Sequence, residues 1–264
     1  MPLATIHGTQ INYRFDGPGD GPVVLFSNSL ASNLTMWDLQ IAALTERGYR
    51  VLRYDSRGHG QSAVAEGPYS IAMLTSDVVR LMDAFGLHKV HFCGLSLGGM
   101  VGQMLGAMHG DRLISLTLCS TTAYMALKES WDERIESAQK NGMRAAVEAT
   151  VDRWLTKASQ ERLPDEVEKI GHMIINTAVD GYCASGIATQ TMDLRETIRT
   201  ISVPTLVLVG EHDPSTPVAA AEFIHEGITS SELHIIPDAA HVLDIEQDRK
   251  FNEVFLEFLN RNIE

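Results

Sequence analysis

The sequence predicts an α/β fold: a mostly parallel, twisted sheet with helices on both faces and a helical lid inserted between strands. Three observations carry this expectation. Short, nearly unbroken apolar runs recur along the chain, as strands covered on both faces require. Helical patterns separate them, which implies right-handed crossovers between parallel strands. Between about Thr121 and Leu194 the rhythm stops and only helical patterns occur.

The strand-like runs are Val23–Asn28, Tyr49–Asp55, Lys89–Leu95, Leu113–Ser120, Thr205–Gly210 and Glu232–Pro237. The stretch Ile6–Phe15 adds an antiparallel edge hairpin. Helices are expected over Thr35–Arg47, Ile71–Phe85, Leu97–His109, Val218–Glu226 and Asp248–Asn262. The insertion reads as three or four helices, over Glu129–Asn141, Arg144–Leu155, Pro164–Thr177 and Gly181–Met192. Its aromatic residues Trp131, Trp154 and Tyr182 could simply pack a subdomain core. Its place between the fourth and fifth parallel runs favours a lid, because open α/β sheets bind ligands beyond the carboxyl ends of their strands. The expected division is a core of residues 1–121 and 195–264 with a helical cap of residues 122–194.

Composition narrows the function. The chain has 264 residues, 44% hydrophobic and 21% charged, with a formal net charge of −13. That charge argues against nucleic acid or an anionic membrane as partner. The N-terminal stretch has no basic region followed by apolar residues, so no signal peptide is expected. No apolar run reaches the roughly 18 residues of a membrane span. The 3 cysteines, Cys93, Cys119 and Cys183, are widely spaced, and the first two lie in strand-like runs. Cys93 and Cys119 read as small core residues, and the odd, widely spaced set suits a reducing cytoplasm without structural disulfides. Oligomeric state is not readable from these features.

Gly94-Leu95-Ser96-Leu97-Gly98 is a G-x-S-x-G sequence between a strand pattern and a helix pattern. A strand that turns at once into a helix needs a tight corner, which strains the corner residue and projects its side chain from the sheet end. Gly94 and Gly98 remove side chains that would collide there. The plainer alternative is a serine that merely caps the helix. A serine hydroxyl needs a base to become a nucleophile, expected late in the chain after an acid. His241 follows the run Glu232–Pro237, and Asp213 follows Thr205–Gly210, so both belong to the sheet edge that carries Ser96. His241 would accept the serine proton, and Asp213 would hold the imidazole tautomer. Among rivals, His212 should point away, Asp238 belongs to the turn of the base, and Asp244 is expected to cap the next helix. The oxyanion needs backbone donors. Leu97 N–H is one candidate, and Leu30 N–H, in the loop after the first parallel strand, is the other.

With these residues in place, the chain resembles the α/β-hydrolase superfamily, whose recurrent turn is similar to Tyr54–Ser62. The stretches SNSLASNLTMWD, RYDSRGHGQS, HFCGLSLGGMVGQ, WDERI, DGYCASGIATQTMDLR, GEHDPSTP and AAHVLDIEQ resemble the 3-oxoadipate enol-lactonases over essentially the whole chain. Asn28-Ser29-Leu30 stands where many superfamily members have His-Gly, and Ala31 stands where that family commonly has glycine. The resemblance implies hydrolysis of 3-oxoadipate enol-lactone to 3-oxoadipate in the protocatechuate branch of aromatic breakdown. It implies an acyl-enzyme on Ser96 and requires neither a metal nor an organic cofactor. The lactone carries a carboxylate although the protein is acidic, so a local cation is expected. Arg134 is the candidate, with Trp131 one turn earlier on the same helix face as an apolar wall. The alternative pairs Arg134 with Glu129 or Glu136 and places Trp131 in the cap core. Competing functions are another carboxylesterase or lactonase, a cofactor-free perhydrolase, a carbon–carbon bond hydrolase, and a non-catalytic ligand receptor. The triad alone cannot separate the enzymes, because pocket shape decides.

Overall fold

The computed structural model describes residues 2–6, 8–126 and 128–263. Position 7 of the expected hairpin, position 127 of the expected cap and the terminal positions 1 and 264 lie outside the described residues. One sheet of eight strands forms: β1 (Leu3–Ile6), β2 (Thr9–Asp16), β3 (Val23–Ser27), β4 (Arg50–Tyr54), β5 (Val90–Leu95), β6 (Leu113–Cys119), β7 (Thr205–Gly210) and β8 (Ser231–Ile236). Their order is β1-β2-β4-β3-β5-β6-β7-β8. β1 and β2 are antiparallel, and β4 through β8 with β3 run parallel. The edge hairpin thus begins earlier than its sequence suggested, at Leu3.

The central strands owe their place to composition. Every residue of β3, β5 and β7 is buried, since helices cover both faces. β8 differs. Its apolar run suggested the same coverage, yet it is the outermost strand and only Ile236 is fully buried. Register aligns the carboxyl ends: Ser27 pairs with Gly94, Leu95 with Cys119, Cys119 with Leu208, and Gly210 with Ile236. The loops that follow β3, β5, β7 and β8 therefore leave one common edge.

Outside the insertion the helices are α1 (Asp38–Thr45), α2 (Ile71–Ala84), α3 (Leu97–Met108), α9 (Val218–Gly227), α10 (Leu243–Glu246) and α11 (Asp248–Arg261). The helix expected from Thr35 begins as a 3₁₀ turn, capped by Asn33, whose Oδ1 accepts from Thr35 N at 2.9 Å. The insertion between β6 and β7 contains α4 (Lys128–Asn141), α5 (Val147–Trp154), α6 (Lys157–Arg162), α7 (Pro164–Ile175) and α8 (Val179–Thr191) among the described residues. The short α6 was not apparent in the sequence, because six residues are too few for periodicity to register. Where the chain leaves and re-enters the sheet region, its two ends meet. Tyr124 bridges Asp193, and Leu194 N donates to Ala123 O at 2.7 Å. All 3 cysteines are buried and free.

Candidate active site

β5 ends at Leu95 and α3 begins at Leu97, so Ser96 alone makes the corner. Its backbone sits at φ 56°, ψ −111°, a conformation that costs a non-glycine residue on the order of 1–3 kcal/mol. Neighbours hold it there. Ser96 N donates to Cys119 O at 2.9 Å, and Ser96 O accepts from Thr121 Oγ1 at 2.9 Å and Met100 N at 3.0 Å. A Cβ on Gly94 would overlap the Gly98 carbonyl, and one on Gly98 would overlap the Ser27 carbonyl. The Ser96 side chain makes no helix-capping hydrogen bond, which removes the capping explanation for this serine.

Asp213 and His241 meet as their positions after β7 and β8 suggested. His241 Nδ1 lies 2.9 Å from Asp213 Oδ2, and both side chains are almost completely buried. Asp213 Oδ1 accepts from Ser215 N at 2.8 Å and Thr216 N at 3.0 Å, and Oδ2 accepts from Thr216 Oγ1 at 2.8 Å. Burial pushes this carboxyl up. The His241 charge and the hydrogen bonds from His241 and Thr216 outweigh it and leave the group below its ordinary value. An ionised carboxylate only accepts, so Nδ1 carries a proton, and the neutral form of the ring then offers the Nε2 lone pair. Among the described residues no hydrogen bond joins His241 Nε2 to Ser96 Oγ.

The rivals separate clearly. His212 is exposed and lies 3.8 Å from Glu211. Asp238 occupies the turn before His241 at φ 54° and is exposed. Asp244 does not cap α11, as its sequence position suggested. It sits inside α10, fully buried, and both its carboxyl oxygens lack a hydrogen-bond partner among the described residues. Glu211, His212 and Asp238 bring possible ligand atoms within 4.8 Å of one another on the surface. Asp238 N donates to Glu211 Oε2 at 3.4 Å, which accounts for that closeness.

The Leu30 loop is tied to the corner by Gly98 N, which donates to Asn28 O at 3.0 Å. Asn28 is in turn fixed by Tyr54 O at 2.7 Å and Trp37 Nε1 at 3.0 Å. Neither Leu30 N nor Leu97 N donates to a protein acceptor among the described residues. Ala31 has φ 63°, which explains why glycine suits this position in the lactonases that the loop resembles.

In the insertion, Trp131 is buried, and the Arg134 guanidinium lies over its ring at 3.9 Å. Arg134 forms no ion pair among the described residues, and its Nε is buried without a partner. Glu136 pairs with Lys140 instead. Sequence reasoning missed Arg153. Burial first, and then the Arg134 charge, press the Arg153 guanidinium below its ordinary value. Its Nη2 donates to Thr150 Oγ1 at 3.0 Å. Next to it, the Trp154 ring stands 6.3 Å from the His241 ring. Thr216 was also missed, although Asp followed by Ser and Thr two and three residues later is a local side-chain-to-backbone turn signal.

Residues 22–248 match the model of the alpha/beta hydrolase fold family. Over 248 residues the chain is 35% identical to 3-oxoadipate enol-lactonase 2 of Acinetobacter baylyi, covering 94% of this chain and 92% of that one. It is 31% identical to RutD of Variovorax paradoxus, a protein named for carbamate hydrolysis, with 95% and 96% covered. The crystal structure of the enol-lactonase from Burkholderia xenovorans LB400 superimposes with a TM-score of 0.96 at 38% identity, covering 98% of this chain and 100% of that one.

Proposed function

This chain belongs to the alpha/beta hydrolase family, and from that premise we propose that it is a serine hydrolase opening 3-oxoadipate enol-lactone with water. The observation that carries the reading is the buried Asp213–His241 pair at 2.9 Å on the same sheet edge as the strained, uncapped Ser96. The substrate follows from the likeness to enol-lactonases along almost the whole chain.

Ser96 Oγ attacks the lactone carbonyl while His241 Nε2 takes its proton. Asp213 stabilises the imidazolium through Nδ1–H. Leu30 and Leu97 N–H groups hold the oxyanion, which such donors stabilise by about 3–4 kcal/mol each. The ring oxygen leaves as an enolate and takes the proton from His241, leaving an acyl-serine. His241 then deprotonates a water, which attacks the acyl carbon; Ser96 Oγ leaves with that proton from His241, and the released enol tautomerises to 3-oxoadipate. Residues 122–194 act as the cap, and Trp131 with Arg134 bounds the carboxylate end of the substrate. Arg153 adds a second cation beside Arg134.

The test is direct. Purified protein mixed with enzymatically generated enol-lactone should deplete its ultraviolet absorbance. Ser96→Ala should lower kcat at least about a thousandfold. The relatedness to RutD favours a second reading on the same residues, hydrolysis of a carbamate. Faster turnover of a carbamate or a neutral p-nitrophenyl ester than of the lactone would replace the first reading with such an alternative. No labelling of Ser96 by an organophosphorus reagent would instead support a non-catalytic receptor.

A further inference from the structure

Glu246 is the last residue of α10 and is fully buried, yet it has no ion-pair partner among the described residues. Its carboxylate is occupied at both ends. Oε2 accepts from Ala240 N, the residue immediately before His241. Oε1 accepts from Thr156 N at 2.7 Å and from Thr156 Oγ1 at 2.9 Å. Thr156 belongs to the insertion, where it is the N-cap of α6. One buried side chain therefore grips the turn of the base with one oxygen and the insertion with the other.

Other bonds make the same junction. Val242 N, on the far side of His241, donates to Trp154 O at 3.1 Å. Arg162 Nη2, from α6, donates to Glu246 O at 2.7 Å. Both neighbours of His241 are thus held, one directly by the stretch Trp154–Thr156 and one through Glu246. Buried charge-assisted hydrogen bonds to backbone N–H groups are among the stronger and more directional ones, and a half-satisfied buried carboxylate is costly. Such a carboxylate is a poor choice for mere packing.

We propose that Glu246 is a positioning residue whose carboxylate couples the seating of the helical insertion to the alignment of His241. It touches neither substrate nor reacting atoms and acts through the backbone at Ala240. The inference rests on the reading of His241 as the base.

The test compares Glu246→Gln, Thr156→Val and the double variant in the full-length protein, with Ser96→Ala and His241→Ala alongside, on the enol-lactone and a neutral p-nitrophenyl ester. Glu246→Gln keeps the volume but cannot accept at both ends. Its kcat should fall at least tenfold on both substrates with KM within threefold. Thr156→Val should lose less, and the double variant should lose little more than Glu246→Gln, because both changes break one link. The acidic limb of the kcat–pH profile should move to lower pH. A loosened His241 leaves Asp213, and one negative charge is lost. The other titratable or charged groups at this turn are Arg162, on the Glu246 carbonyl, and the buried, protonated Asp244, which Glu166 and Lys169 face; all three variants keep them. Wild-type kcat and an unmoved profile in folded Glu246→Gln, with Ser96→Ala inactive, would overturn the coupling alone. Full activity in Ser96→Ala or His241→Ala would overturn the reading beneath it. If Glu246→Gln does not fold, Thr156→Val decides: an unchanged kcat there overturns the coupling.

Discussion

Arg134 is unusual for an arginine in a protein with 34 acidic residues: it has no carboxylate partner among the described residues. Its plane rests on Trp131, and the charge of a second guanidinium, Arg153, lies close by. Two cations that repel each other, one of them without an ion pair among the described residues, gain from an anion placed between them. A charge-assisted hydrogen bond to a carboxylate contributes about 1.5–3 kcal/mol. Arg134→Ala should therefore raise KM for the enol-lactone by about ten- to a hundredfold while changing that for a neutral ester less than about threefold. Arg153→Ala should act in the same direction. Equal effects on both esters in steady-state assays would refute the assignment. The shared sheet edge of Ser96, Asp213 and His241 was legible because each follows a strand, and strand ends are what apolar runs mark. Arg153 beside Arg134 was not, since that nearness depends on how two helices of the insertion pack, and single-sequence periodicity carries no information about that. Asp244 was misplaced because four residues of α10 leave no periodic trace.

α10 holds an acid that the fold does not satisfy. Burial, with the Glu166 charge adding to it, pushes the Asp244 carboxyl up to about 8. The Asp244 and Ile245 backbone N–H groups and Lys169 oppose this, but Ile245 N donates to Val242 O rather than to the carboxyl. The folded chain keeps this proton up to about pH 8, whereas the unfolded chain releases it near 3.8. Across that window the folded state binds more protons, so stability falls as pH rises, at about 1.4 kcal/mol per pH unit for this group. Asp244→Asn, neutral throughout, should lack that slope. Thermal unfolding at pH 5 and pH 8 should show a smaller drop in Tm for the variant than for wild type. An equal drop would mean that Asp244 finds solvent or a counter-ion. Element boundaries were otherwise readable wherever a helix exceeded two turns. The exposed character of β8 was not, because an edge position is decided by strand order, which no local run of residues states.

At the scale of the whole molecule, the net charge of −13 sets a field that repels an anion such as the proposed enol-lactone, while the two arginines attract one locally. Salt acts on the two differently. The long-range field is largely screened at about 0.1 M, where the Debye length is near 10 Å, but a half-buried short-range pair is screened much less. Raising ionic strength should therefore increase kcat/KM for the enol-lactone a few-fold and leave a neutral ester unchanged. A decrease with salt would show that the arginines dominate the field at the entrance. The parallel sheet and the inserted helices were foreseeable as a class, because alternation of patterns is a property of the entire chain. The stitching between insertion and sheet was not, since Thr156 and Glu246 are far apart in sequence and neither belongs to a motif. That stitching bears on evolution and engineering. Ala123–Tyr124 and Asp193–Leu194 stand side by side, so a foreign block of helices could be spliced in at this neck without stretching the chain. A graft that joins cleanly there would still arrive without a mate for the carboxylate waiting at position 246. Transplanted blocks should work only when they carry their own hydroxyl-bearing helix start.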